Sequence, residues 1–411
     1  MNARLDALGR VMTSALDEAL SALDPAALVR DALPPEPPCG GRVLLVAAGK
    51  AAIAMARGAL GRWPDRIDEA LVITIPSPPD GASLDAGSRA SRITGAHPIP
   101  DARSEAAADE ALRRAARLGP RDLLLALISG GASAVMAAPA AGGTLDEKRD
   151  VIAALLDRGV PIRDVNLVRR HLSRIKGGRL ARAAAPAATL TLIASDVIGG
   201  AAHDIGSGPS VPDPTTIGEA RAALARAGID AAGALDESPK PADLPANSAR
   251  IIVDPAALGR ALAHALRARG LDATVDAAEE GDAESMANRR LQRASRLAPG
   301  QAIVIPCEPT LALPTRRGRG GRAGWIALRA MARLPADVAL LCAATDGVDG
   351  SSGAAGAIVT RAHAEQVSAA AIEEALSGFD DASMHRALGT HVGGGPRDHN
   401  LTDVHVIARL R

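Results

Sequence analysis

Aromatic side chains are nearly absent: the 411 residues include one Phe, two Trp and no Tyr. The core must therefore be packed from Ala, Leu, Val and Ile. Few rings are at hand on which a base could stack, which excludes the aromatic platforms of single-stranded nucleic-acid binders. Any nucleotide base has to lie between aliphatic side chains and backbone. Lysine is also scarce, with Lys50, Lys148, Lys176 and Lys240 making up the whole set. Cys39, Cys307 and Cys342 share no metal-ligand or disulfide spacing, so they read as small buried apolar residues of a reducing cytosol. Arg4, Asp6 and Arg10 interrupt the N-terminus and no long apolar run follows, so the sequence predicts a cytoplasmic chain without signal peptide or membrane span.

What is present is concentrated. Basic and acidic residues number 47 each, yet Arg169-Arg-His-Leu-Ser-Arg-Ile-Lys-Gly-Gly-Arg179 gathers arginines, a lysine and a histidine, and Arg316-Arg-Gly-Arg-Gly-Gly-Arg322 gathers a second set. In a neutral chain such clusters fit pockets for a small anion and not the broad basic face of a nucleic-acid binder. Together they suggest two walls of one anionic cleft and a phosphate-handling enzyme.

The length favours two domains. Leu5, Leu8, Met12, Leu16, Leu20 and Leu23 lay one apolar stripe along an opening helix. Val43-Leu-Leu-Val46, Leu71-Val-Ile-Thr-Ile75, Leu123-Leu-Leu-Ala-Leu-Ile128 and Leu190-Thr-Leu-Ile-Ala194 are continuous apolar strands alternating with helical segments. That grammar belongs to a mostly parallel, Rossmann-like sheet with helices on both faces. Prolines accumulate from 209 to 245, and the boundary is set between domains 1–240 and 241–411. Ile251-Ile-Val253, Thr274-Val275, Ala302-Ile-Val-Ile305, Val338-Ala-Leu-Leu341 and Val404-His-Val-Ile407 are assigned to a second α/β sheet.

Four places carry candidate chemistry. Gly49-Lys50 follows the first strand and opens a helix, so backbone N–H groups and an ammonium converge there. Leu44 and Ala51 stand where a phosphate loop needs Gly and Ser or Thr, and a tight turn with a solvated lysine is the competing reading. Ser129-Gly130-Gly131-Ala-Ser133 follows the most apolar strand, where its glycines serve either an anion nest or close structural packing. Asp196 and Asp346 end strands, the position at which α/β sheets present carboxylates to ligands and Mg²⁺, while Asp349 serves equally as a turn former. His385, His391, His399 and His405 lack metal spacing and read as surface or loop residues. No Gly-x-Gly-x-x-Gly follows any apolar strand.

In order along the chain, Ala48-Gly-Lys50-Ala-Ala, Gly95-Ala-His97-Pro-Ile-Pro-Asp101, Leu127-Ile-Ser-Gly-Gly-Ala-Ser133, Asn166 to Arg179 and Ser207-Gly-Pro-Ser-Val-Pro-Asp213 resemble the type-2 glycerate kinases. Glu308-Pro-Thr310, Gly318-Arg-Gly-Gly-Arg322 and Thr345-Asp-Gly-Val-Asp-Gly350 continue the series into the family's C-terminal MOFRL domain. The resemblance implies ATP-dependent phosphorylation of the 2-hydroxyl of D-glycerate with Mg²⁺, in a cleft between two α/β domains. It implies charge stabilisation by Lys50 and Arg322, and Asp196 and Asp346 as groups that hold metal or orient the hydroxyl. Gly49, Ser129, Gly130, Gly131, Ser133, Arg169, Lys176, Gly320 and Gly321 would bind substrate or phosphate. No nucleic-acid or membrane partner is implied, and a homodimer is left open. The chain departs from the family pattern at Gly200, at Ala323-Gly324-Trp325 in place of Asn-Gln-Glu, and at Arg397-Asp398-His399. The alternatives are a kinase of another small hydroxy acid, a hydroxypyruvate reductase, and a family member that binds without turnover.

Overall fold

A computed structural model describes residues 1–76, 89–230, 235–244, 246–313 and 317–411. Arg316, in the second basic cluster, and Pro245, in the proline-rich stretch, lie outside the described residues. The chain divides into two compact units, one of Pro25–Ile252 and one of Met1–Asp24 with Val253–Arg411. The sequence-based limits of 1–240 and 241–411 differ from this at both ends. The opening helix groups with the C-terminal unit, and the division falls after residue 252.

The first unit holds six strands: β1 (Val43–Ala48), β2 (Glu69–Thr74), β3 (Ala90–Thr94), β4 (Leu123–Ser129), β5 (Ala188–Ala194) and β6 (Asn247–Val253). Their order across the sheet is β3-β2-β1-β4-β5-β6, and neighbours from β3 to β5 are parallel. Every residue of β1 and β4 is buried, which is why these strands read as unbroken apolar runs: both faces are covered. The core between sheet and helices is aliphatic and finely grained. The helix Ala102–Ala115, for example, buries Ala107, Ala108, Ala111 and Ala115. Small side chains let the layers approach closely in a chain that has almost no rings to fill space.

Ile251 to Val253 is a correction. The run was assigned to the second sheet, but its strand, β6, closes the first sheet beside β5. A short apolar run specifies a strand without specifying its partner.

The second unit carries β7 (Asp272–Val275), β8 (Glu279–Asp282), β9 (Gln301–Thr310), β10 (Val338–Ala344), β11 (Gly356–Thr360), β12 (His391–Val392) and β13 (Asp403–Arg409). Their order is β12-β11-β10-β13-β9-β7, with β8 also paired to β9. This sheet is mixed: β13 is antiparallel to both β9 and β10, whereas β7 and β8 run parallel to β9. The helix Asn2–Ala22 buries Leu5, Leu8, Met12, Leu16 and Leu20 against the helix Pro255–Ala268 and β10, so the stripe read from the sequence faces the second core. No helix of the described residues is long and apolar enough to cross a membrane.

Candidate active site

In the first unit the chain winds outward in both directions from the pair β1 and β4. The carboxyl ends of two such strands form the crevice where doubly wound sheets bind ligands. Gly49-Lys50 leaves β1 there and Ser129-Gly130-Gly131 leaves β4. The two turns are stitched together: the Lys50 N–H donates to the Gly130 carbonyl at 2.9 Å, and the Ala51 N–H donates to Ser129 Oγ at 3.1 Å. Gly49 has φ +119°, and a Cβ there would lie 2.3 Å from Ser129 Oγ and 2.6 Å from the Ser129 carbonyl oxygen. Only glycine fits so tight an approach. Gly131 (φ +83°) has the His97 ring and the Lys50 side chain as its nearest neighbours. Beyond it, the N–H groups of Gly131, Ala132 and Ser133 meet no protein acceptor among the described residues. The turn therefore makes a close structural contact and also leaves a set of open donors.

The basic cluster 169–179 separates into two populations. Arg170 is buried in ion pairs with Asp213 (3.0 Å) and Asp204 (3.4 Å). The Arg179 guanidinium donates to the carbonyls of Arg170, Lys176 and Asp236, and His171 bonds the Asp236 carbonyl at 2.8 Å. These three side chains tie the loop to its surroundings. Arg174 pairs with Glu105 and Asp109 at the surface. Arg169 and Lys176 instead line a cavity of about 370 Å³, together with Ser133 and Lys148. Lys176 Nζ is held by Ser133 O (2.8 Å), Ser133 Oγ (3.0 Å) and Met136 O (3.4 Å). Burial first, and then the charges of Lys148 and Arg169, push the Lys176 ammonium well below the usual lysine range. Lys148 was not singled out by sequence reasoning. It sits among acids and arginines on the helix Leu145–Asp157, and the one signal was its rarity.

Asp196 lies two residues beyond β5, half-buried. In the second unit, Arg322 opens the helix Arg322–Met331. Its guanidinium is gripped by Glu308 Oε1 at 2.5 Å and the Pro309 carbonyl at 3.0 Å, with Asp403 Oδ2 at 3.5 Å. Burial opposes its charge, but the carboxylates of Asp403 and Glu308 more than offset this, so the guanidinium stays firmly protonated. Burial likewise drives the Asp403 carboxyl well above the usual range, only partly relieved by Arg322.

Asp349, a turn former by sequence, has a different task. Its carboxylate accepts from the N–H groups of Ala323 (3.1 Å) and Gly324 (2.8 Å) and so caps the helix that carries Arg322. Gly320 and Gly321 were expected to cradle phosphate, and the geometry corrects this. The Gly320 N–H donates to Ser351 Oγ and the Gly321 N–H to Asp381 Oδ2, so both donors are spent within the protein. Carboxylates crowd their Cα atoms, with Asp381 Oδ1 1.8 Å from where a Gly320 Cβ would be and Asp349 Cγ 2.1 Å from that of Gly321. Asp346 is half-buried and its Oδ1 accepts from the Val348 N–H at 3.1 Å.

Five of the departures from the family pattern, Ala323, Gly324, Trp325, Arg397 and His399, have structural explanations. Ala323 and Trp325 are buried in the second core, with the Trp325 indole N–H donating to the Leu376 carbonyl at 3.1 Å. Gly324 leaves room for Asp381, whose Oδ2 comes within 2.3 Å of where a Cβ would stand. Arg397 pairs with Asp17 at 3.2 Å and His399 bonds the Leu20 carbonyl at 2.7 Å, so this segment tethers the opening helix. Two histidines expected at the surface are buried instead. His385 spans Thr390 Oγ1 and the Gly324 carbonyl, and His405 accepts from Arg290 Nε at 2.9 Å. Among the described residues no three His, Cys, Asp or Glu side chains gather as a metal cage.

Residues 11–237 match the family model described as domain of unknown function DUF4147, and residues 301–403 match the MOFRL family. A protein of Agrobacterium vitis named putative hydroxypyruvate reductase is 37% identical, over 97% of this chain and 94% of its own length. The D-glycerate 2-kinase of Thermotoga maritima is 30% identical, over 88% of this chain and 89% of its own. A crystal structure of glycerate kinase from Thermotoga maritima superposes with a TM-score of 0.86 at 27% identity, covering 98% of this chain and 100% of that one. With both family models matched in order and this fold reproduced along almost its whole length, the chain belongs to the DUF4147 and MOFRL family of glycerate kinases.

Proposed function

We propose that the protein transfers the γ-phosphoryl group of ATP to the 2-hydroxyl of D-glycerate, giving 2-phosphoglycerate and ADP. The observation that carries this reading is the placement of Lys50 at the β1/β4 crevice, bonded through its backbone to the Ser129-Gly130-Gly131 turn. Phosphoryl transfer asks little covalent chemistry of a protein. It asks for positioning and for positive charge where the phosphoryl oxygens gain negative charge. Lys50 and Arg322 supply that charge in our assignment. The fixed salt bridge of Arg322 to Glu308 holds its planar donor fork in one orientation. Asp196 and Asp346 are the carboxylates assigned to the metal, and Asp196 also to the acceptor hydroxyl, whose oxygen attacks phosphorus as its proton leaves to a carboxylate. Single carboxylates suit Mg²⁺, which keeps much of its water and binds through one or two acids plus the substrate phosphates. When bound, the ion neutralises charge on the triphosphate.

The hydroxypyruvate reductase reading fits the crevice poorly. The turn after β1 reads Ala48-Gly49-Lys50-Ala51-Ala52 and lacks the glycine spacing of a dinucleotide site. Hydroxypyruvate should therefore cause no oxidation of NADH in an absorbance assay. Lys50→Ala is expected to lower kcat by roughly 100-fold or more with an unchanged melting temperature. Turnover equal to wild type would remove Lys50 from the mechanism.

A further inference from the structure

The cavity beside the switch-point crevice has an unbalanced lining. Three buried or half-buried basic side chains, Lys148, Arg169 and Lys176, line it together with the exposed Arg149 and Asp150, and Arg149 already pairs with Asp146 at 3.1 Å. Lys148 is buried, yet its ammonium has a single long hydrogen bond, 3.4 Å to the Ala138 carbonyl, among the described residues. An ammonium can donate three. Lys176, by contrast, already has three protein acceptors. The Arg169 guanidinium is held by Asn166 Oδ1 at 2.7 Å, and among the described residues no acid pairs with it. Burial and the neighbouring cations Arg169 and Arg179 hold the Lys148 ammonium well below the usual lysine range. Gathering buried cations without counter-charge is costly unless an anion joins them.

Apart from Ser133, the rest of the lining is aliphatic, including Ile99, Ile152 and Leu156. Ile99 and Leu156 are 61% and 51% exposed, so apolar surface stands at the mouth. We propose that this cavity is the nucleotide site, with Lys148, Lys176 and Arg169 taking the triphosphate of a nucleoside triphosphate and the aliphatic wall taking its base. The assignment rests on the kinase reading above and says where the phosphoryl donor lies. Three observations favour a triphosphate over the hydroxy acid. A single carboxylate would leave most of the cationic charge uncompensated. About 370 Å³ falls within the roughly 300–1,000 Å³ of pockets for larger small molecules, whereas glycerate has only three carbons. An aliphatic wall suits the faces of a base, in a chain without rings to stack on it, and offers nothing to a second hydroxyl. Ser133 belongs both to this lining and to the turn that carries Gly131, so the cavity adjoins the crevice of Lys50.

The test is isothermal titration of the full chain with the non-hydrolysable ATP analogue AMP-PNP in Mg²⁺, for wild type, Lys148→Met and Leu156→Glu, alongside steady-state KM values for ATP and D-glycerate. Leu156 is exposed, so Leu156→Glu places an acid at the mouth without disturbing the core, and it keeps the test open should Lys148→Met not fold. Both variants are expected to weaken AMP-PNP at least tenfold while changing the KM for D-glycerate less than twofold. Unaltered AMP-PNP affinity in Leu156→Glu and in folded Lys148→Met, a raised KM for D-glycerate alone, or absence of AMP-PNP binding by wild type would overturn the assignment. Wild type that binds AMP-PNP in this way but phosphorylates no hydroxy acid would keep the nucleotide site and sink the kinase reading.

Discussion

Single residues in this protein often hold posts that their local sequence does not announce. Asp349 lies in a Gly-rich turn yet caps a distant helix, and Asp381 reaches across to the space that Gly324 leaves open. Burial first, and the neighbouring Asp349 charge second, push the Asp381 carboxyl up to about 7 from an ordinary 3.8. Because folding raises this value, the acid form adds stability that is fully present below the ordinary value and is lost as pH rises to 7. Asp381→Asn removes the titration and keeps an acceptor for the Gly321 N–H. Its stability relative to wild type should grow by about 1.4 kcal/mol per pH unit across that window and then level off. Urea unfolding of both proteins from pH 4 to pH 8 measures the difference, and a gap independent of pH would refute the assignment. The positions of Lys50 and Gly131 at the carboxyl ends of β1 and β4 were legible because strand, tight turn and helix are consecutive in the chain. The place of Lys148 in the cavity lining was not, since it depends on residues far along the sequence that fold around it.

At the scale of elements, the continuous apolar strands β1, β2, β4 and β5 were readable because burial on both faces leaves no polar position. Most of the strands that escaped notice lack that pattern, although β11, Gly-Ala-Ile-Val-Thr and almost wholly buried, was missed as well. β3 is half-buried with one residue exposed, β8 is Glu-Glu-Gly-Asp, and β12 has two residues. β6 was readable as a strand but not as a member of the first sheet. The turns after β1 and β4 pack so closely that Gly49→Ala should cost about 2 kcal/mol or more, from a strained backbone and from Cβ overlap with Ser129. A variant with wild-type denaturation midpoint would show that the two turns can separate freely. The opening helix was legible as an amphipathic stripe, while its attachment to the second unit was not. Leu16 is 2% exposed on that stripe, so Leu16→Ala should cost about 2–5 kcal/mol. The loss should appear in the transition of the unit formed by Met1–Asp24 and Val253–Arg411 by calorimetry.

For the molecule as a whole, the fold class was legible and the allocation of chain to units was only partly so. Alternating apolar strands and helices set the class locally, whereas the return of residues 1–24 to the C-terminal unit is decided by a packing surface that no local pattern marks. The basic clusters were read as anion sites, and the residues of the first divide between structural ties such as Arg170 and Arg179 and cavity-lining groups such as Arg169 and Lys176. The changes at Ala323, Trp325, Arg397 and His399 find structural explanations in the second unit, which leaves activity on D-glycerate the expected outcome. That expectation is tested most directly by a coupled ADP-release assay with ATP, Mg²⁺ and D-glycerate, read in parallel by ³¹P NMR of the product. The account predicts ADP release matched by phosphate on O2 of D-glycerate. Phosphate on O3, or no ADP release with D-glycerate at any concentration, would contradict it.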